Sequence, residues 1–164
     1  MTHTFLLKPG QWRLKGFWCE THLNPVPIEG TVNIVWNQPN WFSYTQRLTL
    51  PHHQENSINN YYFSSSELFL NYRGYLGFQQ SQYTFVLKHN QLGNLEGNGW
   101  ITPTSIIQRY WVLNDRKRRQ GFETFYQKQA DTYYFCSCLT QGHQMIITLE
   151  AILTCASKGE LKPE

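Results

Sequence analysis

SIIQRYWVLNDRKRRQGFETFYQKQADTYYF, residues 105 to 135, decides how the rest of the chain is read. It opens on a run rich in β-branched and aromatic residues (Ile106, Ile107, Tyr110, Trp111, Val112), the composition a half-buried strand favours. Asn114-Asp115 breaks the run, and Arg116, Lys117, Arg118 and Arg119 follow as a basic turn. Like charges this close repel one another, so the turn belongs where water or an anion screens them. Gly121 restarts a strand in which Phe122, Thr124 and Tyr126 share one face while Glu123 and Phe125 share the other. A further turn leads to a third strand that continues to about Leu139. The unit is a three-stranded meander, and the functional end of the molecule is sought beside it.

The same rhythm extends in both directions. Lys8-Pro9-Gly10 is a turn, and Gln11 to Thr21 follows as a strand with Trp12, Leu14, Gly16 and Trp18 on one face. A glycine on that face lets the strand bend, as closure of a barrel requires. His22 to Gly30, with Pro25 and Pro27, reads as a loop. Strands are expected over 31–37 and 41–50, the latter with Phe42, Tyr44, Gln46 and Leu48 on one side. Residues 51–60 read as a polar loop. Further strands are expected over 61–64, 66–72, 76–89 with a break near Gln79-Gln80-Ser81, 95–102 and 145–154, with turns at Arg73-Gly74 and Gln91 to Asn94 and residues 156–164 as a frayed tail. About ten short strands at this spacing, with no convincing amphipathic helix, predict an all-β chain: one antiparallel up-and-down barrel, a single domain over 1–164 with its core at about 8–155. Polar residues such as Gln46 and Glu150 among the aromatics favour a barrel with a ligand-holding interior over a sandwich.

Aromatics supply 16 % of residues and charges only 15 %, and the net charge of +3 is too small to imply a nucleic-acid partner. No apolar run approaches the roughly 20 residues a membrane-spanning helix needs, and MTHTFLLKPG lacks a signal peptide's basic start. A cytoplasmic protein is expected, with Cys19, Cys136, Cys138 and Cys155 as free thiols. No metal-ligand spacing, phosphate-cradling glycine loop or Ser-His-Asp arrangement is visible, so no metal and no cofactor are expected.

Two segments carry a resemblance. Gly10-Gln11-Trp12-Arg13 resembles the G-x-W opening of lipocalins, and SIIQRYWVLNDRKRR, residues 105–119, is similar to a segment of the S-type phycobiliprotein lyases, a calycin family of cyanobacteria. Arg109, Tyr110, Trp111 and Asn114 match that segment, and Arg118 falls at its first late arginine. Gln108 stands in place of the family's acidic residue, Gln120 in place of its second late arginine, and Leu14 in place of the serine of its opening motif. The resemblance implies a lipocalin-like barrel that holds an open-chain tetrapyrrole and delivers it to a cysteine of an acidic phycobiliprotein subunit.

Such a ligand needs arginines for its propionates, aromatics for its flat body and a carboxylate for its pyrrole nitrogens. The resemblance therefore nominates Arg109, Arg118, Trp12, Trp18, Trp100, Trp111 and Tyr126 for ligand binding, and Glu123 and Glu150 for catalysis; Arg119 stands beside the two arginines on the same hairpin. Strand parity groups Arg109 with Ile107 and Trp111, which favours the interior, where Glu150 could partner it either structurally or beside a ligand. Two other functions stay open: a non-catalytic carrier or sensor of fatty acid, carotenoid or haem, and an interaction module with a sealed barrel.

Overall fold

The computed structural model describes residues 3, 5–50, 62, 63 and 65–156. Ten strands form in chain order: β1 (Gly10–Glu20), β2 (Val26–Gln38), β3 (Trp41–Thr49), β4 (Glu67–Leu76), β5 (Gln82–His89), β6 (Gly93–Ile101), β7 (Ser105–Val112), β8 (Arg119–Gln129), β9 (Thr132–Gln141) and β10 (Gln144–Cys155). Each pairs antiparallel with its sequence neighbours, and β1 closes on β10, so the sheet is an up-and-down barrel without an edge. Side chains alternate inward and outward, and the inward set (Trp12, Leu14, Ile34, Tyr72, Tyr83, Leu87, Leu95, Phe125 and others) forms one core.

Three segments depart from the sequence reading. Val26 to Gly30 belongs to β2 despite Pro27. Pro27 pairs only with Phe17 of β1, beyond the point where β3 ends opposite Glu29, so its missing N–H leaves no second ladder short of a donor. The turn expected at Arg73-Gly74 is absent: β4 runs through it to Leu76, and the break expected near Gln79-Gln80-Ser81 separates it from β5, which begins at Gln82. Of the short strand expected over 61–64, Tyr62 and Phe63 are not in regular strand, and residues 61 and 64 lie outside the described residues. The loop expected over 51–60 also lies outside them, as do residues 157–164. Ala156 is tied down, its N–H donating to the Gln11 carbonyl at 2.9 Å.

The two ends of the barrel differ. At one end the N-terminal segment folds in, with Phe5 against Phe125 (ring centroids 4.7 Å apart), Trp12 (5.2 Å) and Tyr133 (5.3 Å). The Trp36 indole donates to the Leu6 carbonyl at 3.1 Å and fixes the segment. The space left there, between Phe5, Tyr72, Tyr83 and Phe125, is about 10 Å³, at the lower limit for one water. This end is sealed. The functional geometry lies at the other.

Candidate functional site in the mouth half of the barrel

Glu123 is the centre of the site. It lies on the inner face of β8, directly across from Gln108 of β7 and Ser137 of β9, so three neighbouring strands set three polar side chains in a row. Gly121 makes room for this row. A Cβ on it would lie 2.0 Å from the ring of Tyr110, which rests where a side chain would be. Tyr72 reaches across from β4, its hydroxyl 3.3 and 3.4 Å from the two Glu123 carboxyl oxygens. Ser137 Oγ lies 3.4 Å from Oε1, and Gln108 Nε2 donates to Oε2. Toward the sealed end Tyr83 donates to Gln108 Oε1 at 2.7 Å, and a separate bond runs from Tyr44 to Gln46 Oε1.

Burial dominates the electrostatics. It pushes the Glu123 carboxyl up to about 7, against the opposing pull of hydrogen bonds from Gln108, Tyr72 and Ser137. Burial also lifts the hydroxyls of Tyr44, Tyr72, Tyr83 and Tyr110 well above 10, and the Glu123 charge reinforces each shift. The tyrosines therefore act as neutral donors, while Glu123 can take up or release a proton near neutrality. A carboxyl with that property can protonate or accept from a guest, as general acid–base chemistry requires.

Above this floor the wall is apolar: Trp18, Leu48, Leu68, Leu70, Leu139 and Leu149. Phe63 enters the mouth and packs on Trp18 (5.9 Å between rings) and His89 (5.3 Å). The cavity they enclose is about 40 Å³, room for roughly three or four waters at about 10–15 Å³ each. His89 Nδ1 accepts from the N–H groups of Gln91 (3.0 Å) and Leu92 (3.3 Å), which places the proton of the neutral ring on Nε2. Burial, with the nearby Arg119 charge, lowers its pKa to about 4.

The rim is polar. Glu20 is buried; its Oε1 accepts from the Trp18 indole at 3.1 Å and its Oε2 from the Tyr62 N–H at 2.7 Å. Arg119 opens β8 and clasps Asp115 with two guanidinium bonds, Nε at 2.8 Å and Nη2 at 3.0 Å. Asp115 accepts the Arg119 N–H as well, and these bonds hold its carboxyl down at about 2. Asn114 and Arg118 take positive φ (55° and 53°) in this turn, so Arg116, Lys117 and Arg118 project into solvent around an internally neutralised Asp115–Arg119 pair.

Of the nine nominated side chains, Glu123 and Trp18 line the mouth cavity and Trp12 is buried at the sealed end. Arg109, Trp111, Tyr126, Glu150, Arg118 and the half-buried Trp100 are not in the interior. The parity chosen for Arg109 is corrected: Ile106, Gln108 and Tyr110 face inward, and Arg109 lies outside with its guanidinium over the Trp100 ring (5.6 Å) and Nε on Asn98 Oδ1 (3.1 Å). An Arg109–Glu150 pair is likewise excluded, because β8 and β9 separate their strands and Glu150 stands between Phe17 and Cys136 on the outer wall. Gln108, Tyr72, Ser137, Glu20 and His89 are not among the nominated residues, whereas Arg119, offered beside Arg109 and Arg118 for ligand carboxylates, lies at the rim. The inward parity of Gln108, on the strand facing Glu123, was the signal available for the first of them.

All four cysteines are free; Cys136 and Cys155 are exposed and Cys19 and Cys138 half-buried. Among the described residues no group of three His, Cys, Asp or Glu side chains could hold a metal ion, and no helix is long and apolar enough to cross a membrane.

Fold and site define a closed ten-stranded antiparallel barrel with a carboxyl-centred polar network beneath an apolar mouth. A similar barrel is seen in the crystal structure of Rv2717c from M. tuberculosis, with a TM-score of 0.61 and 15 % identity over 90 % of this chain and 92 % of that one. At that identity the likeness is one of fold alone. No family model matches the chain, and no curated protein matches it.

Proposed function

We propose that the mouth half of the barrel binds a small amphiphilic molecule whose apolar body takes the place of Phe63 and whose deep end meets Glu123. The observation that carries this reading is the buried, near-neutral carboxyl at the floor of a cavity with apolar walls, an arrangement that costs stability and so calls for a use. A guest larger than a few waters must displace the Phe63 ring. Arg119 at the rim keeps guanidinium donors beyond the two that Asp115 takes, which suits a ligand carboxylate there.

A phycobilin has both groups: propionates for the rim, and pyrrole N–H donors for Glu123. The resemblance of residues 105–119 to the S-type lyases favours it over fatty acid, carotenoid or haem. In the lyase form of the proposal Glu123 supplies or receives a proton on the bilin while a cysteine of an acidic phycobiliprotein subunit attacks. The outward positions of Arg109 and Arg118 leave Arg119 as the clamp.

Titration with phycocyanobilin, read by absorbance, tests this. A saturable red-shifted band followed by covalent transfer to an acceptor subunit supports the lyase. A band without transfer supports a carrier. No change in absorbance or tryptophan fluorescence with phycocyanobilin, haemin or oleate refutes interior binding altogether. Phe63→Ala should bind more tightly by about 1.5–3 kcal/mol, roughly 10- to 100-fold in Kd, because the guest no longer expels a buried ring.

A further inference from the structure

A second hollow lies outside the barrel, on the wall formed by β1, β10, β9 and β8. Strand register lays out its lining as two outward rows: Phe17, Glu150, Cys136 and Thr124 in one, Lys15, Ile152, Tyr134 and Tyr126 in the other. The inward residues behind it include Gly16 and Ala151, which put almost no bulk behind the wall, and their backbones form part of the floor. The strands approach so closely that a Cβ on Gly16 would lie 2.0 Å from the Glu150 carbonyl and 2.6 Å from Ala151 Cα. The hollow holds about 400 Å³, tenfold the mouth cavity and within the roughly 300–1,000 Å³ of small-molecule sites.

Its chemistry is unusual for an outer wall. Phe17 (58 % exposed), Tyr126 (52 %), Ile152 (43 %) and Tyr134 (42 %) stand around one depression, where scattered single apolar residues would need no explanation. The next outward row toward the mouth, Cys19, Thr148, Cys138 and Phe122, is uncharged. Glu150 is the one carboxylate in the lining, and among the described residues no basic side chain pairs with it. Lys15, diagonally across, is engaged with Glu29 at 3.2 Å. Lys128 lies over the Tyr134 ring at 5.2 Å, so one of these rings already receives a cation.

We infer that this outer hollow binds a flat organic cation, stacked among Phe17, Tyr126 and Tyr134 with its charge on Glu150. Aromatic faces and a carboxylate both favour positive charge, and a planar body matches a shallow pocket walled by rings. A carboxylate ligand would meet Glu150, with Lys15 drawn to Glu29 and Lys128 drawn to the Tyr134 ring. The site is independent of the barrel interior.

The probe is 9-aminoacridine, a flat cation at neutral pH, with acridine-9-carboxylate as the anionic comparator. Fluorescence titration reads affinity, and peptide mass spectrometry reads how fast iodoacetamide alkylates Cys136 inside the hollow. The expected result is saturable binding of the cation that slows Cys136 alkylation, with Glu150→Gln weakening it roughly tenfold and Phe17→Ala weakening it as well. Both substitutions are on exposed positions, and Glu123→Gln should leave the protection of Cys136 intact. Equal affinity for the anion, indifference to Glu150→Gln, or unprotected Cys136 would overturn the inference. So would a free protein whose Cys136 already resists alkylation because a second copy covers the wall.

Discussion

Replacing Glu123 by Gln removes an interior carboxyl whose charge the fold disfavours near neutrality. The carboxyl rises from an ordinary 4.5 to about 7 on folding. Because the native state holds its proton longer than the unfolded chain, stability falls as pH rises between those values and is level above them. Some 2.5 pK units at 1.36 kcal/mol each make the full cost about 3 kcal/mol. His89 acts in the opposite sense over much of the same interval: its pKa falls from 6.5 to about 4 on folding, so its contribution is present above 6.5 and is lost as pH falls toward 4. The two slopes offset each other in the wild type, whose own curve should be nearly flat between pH 4.5 and 6.5. The difference between variant and wild type isolates Glu123. Gln at 123 can still accept from Tyr72 and Ser137, and rotation of the Gln108 amide and the Tyr83 hydroxyl restores the remaining bonds. Urea denaturation followed by tryptophan fluorescence should therefore show Glu123→Gln gaining on wild type by about 3 kcal/mol between pH 4.5 and 8. A difference constant with pH would refute the raised carboxyl and the reasoning built on it.

Other perturbations follow from the same geometry. Phe63→Ala should cost about 3–5 kcal/mol by emptying the mouth, measured as a lowered urea midpoint, even as it improves bilin binding. His89→Phe should remove the acid-side loss of stability, so that the variant resists unfolding at pH 4–5 better relative to wild type than it does at pH 8; an unchanged relative stability would exclude the buried neutral ring. Gly16→Val should prevent folding or lower the melting temperature sharply, since its Cβ has 2.0 Å to the Glu150 carbonyl where an ordinary contact needs about 3.5 Å. Asp115→Ala should loosen the 113–119 turn and cost about 1–2 kcal/mol, with faster amide exchange at Arg119 as the local readout.

The barrel was legible because its strands alternate cleanly at several places: Trp12, Leu14, Gly16 and Trp18 in β1, and Phe42, Tyr44, Gln46 and Leu48 in β3, all turn inward as their spacing predicts. Glu123 was legible for the same reason, sharing a face with Phe125. Arg109 was misplaced because IIQRYW carries large apolar residues on both faces, so parity alone cannot say which one water sees. Trp111, the outer aromatic that misled that assignment, is exposed on the same outer face as Arg109. Pro27 hid the start of β2 because a proline is compatible with a strand only where one neighbour is missing, which is a property of register. Glu20 and His89 gave no signal: each is defined by partners, Tyr62 for one and the Gln91–Leu92 backbone for the other, that only the closed fold brings near.

Carbon-13 NMR of the Glu123 side-chain carboxyl, assigned through Glu123→Gln and followed across pH with and without phycocyanobilin, tests the interior site most directly. A midpoint near 7 is expected in the free protein, with a displaced resonance and midpoint once the bilin is bound. A midpoint in the ordinary 4–5 range, unmoved by any guest, would contradict the interior site.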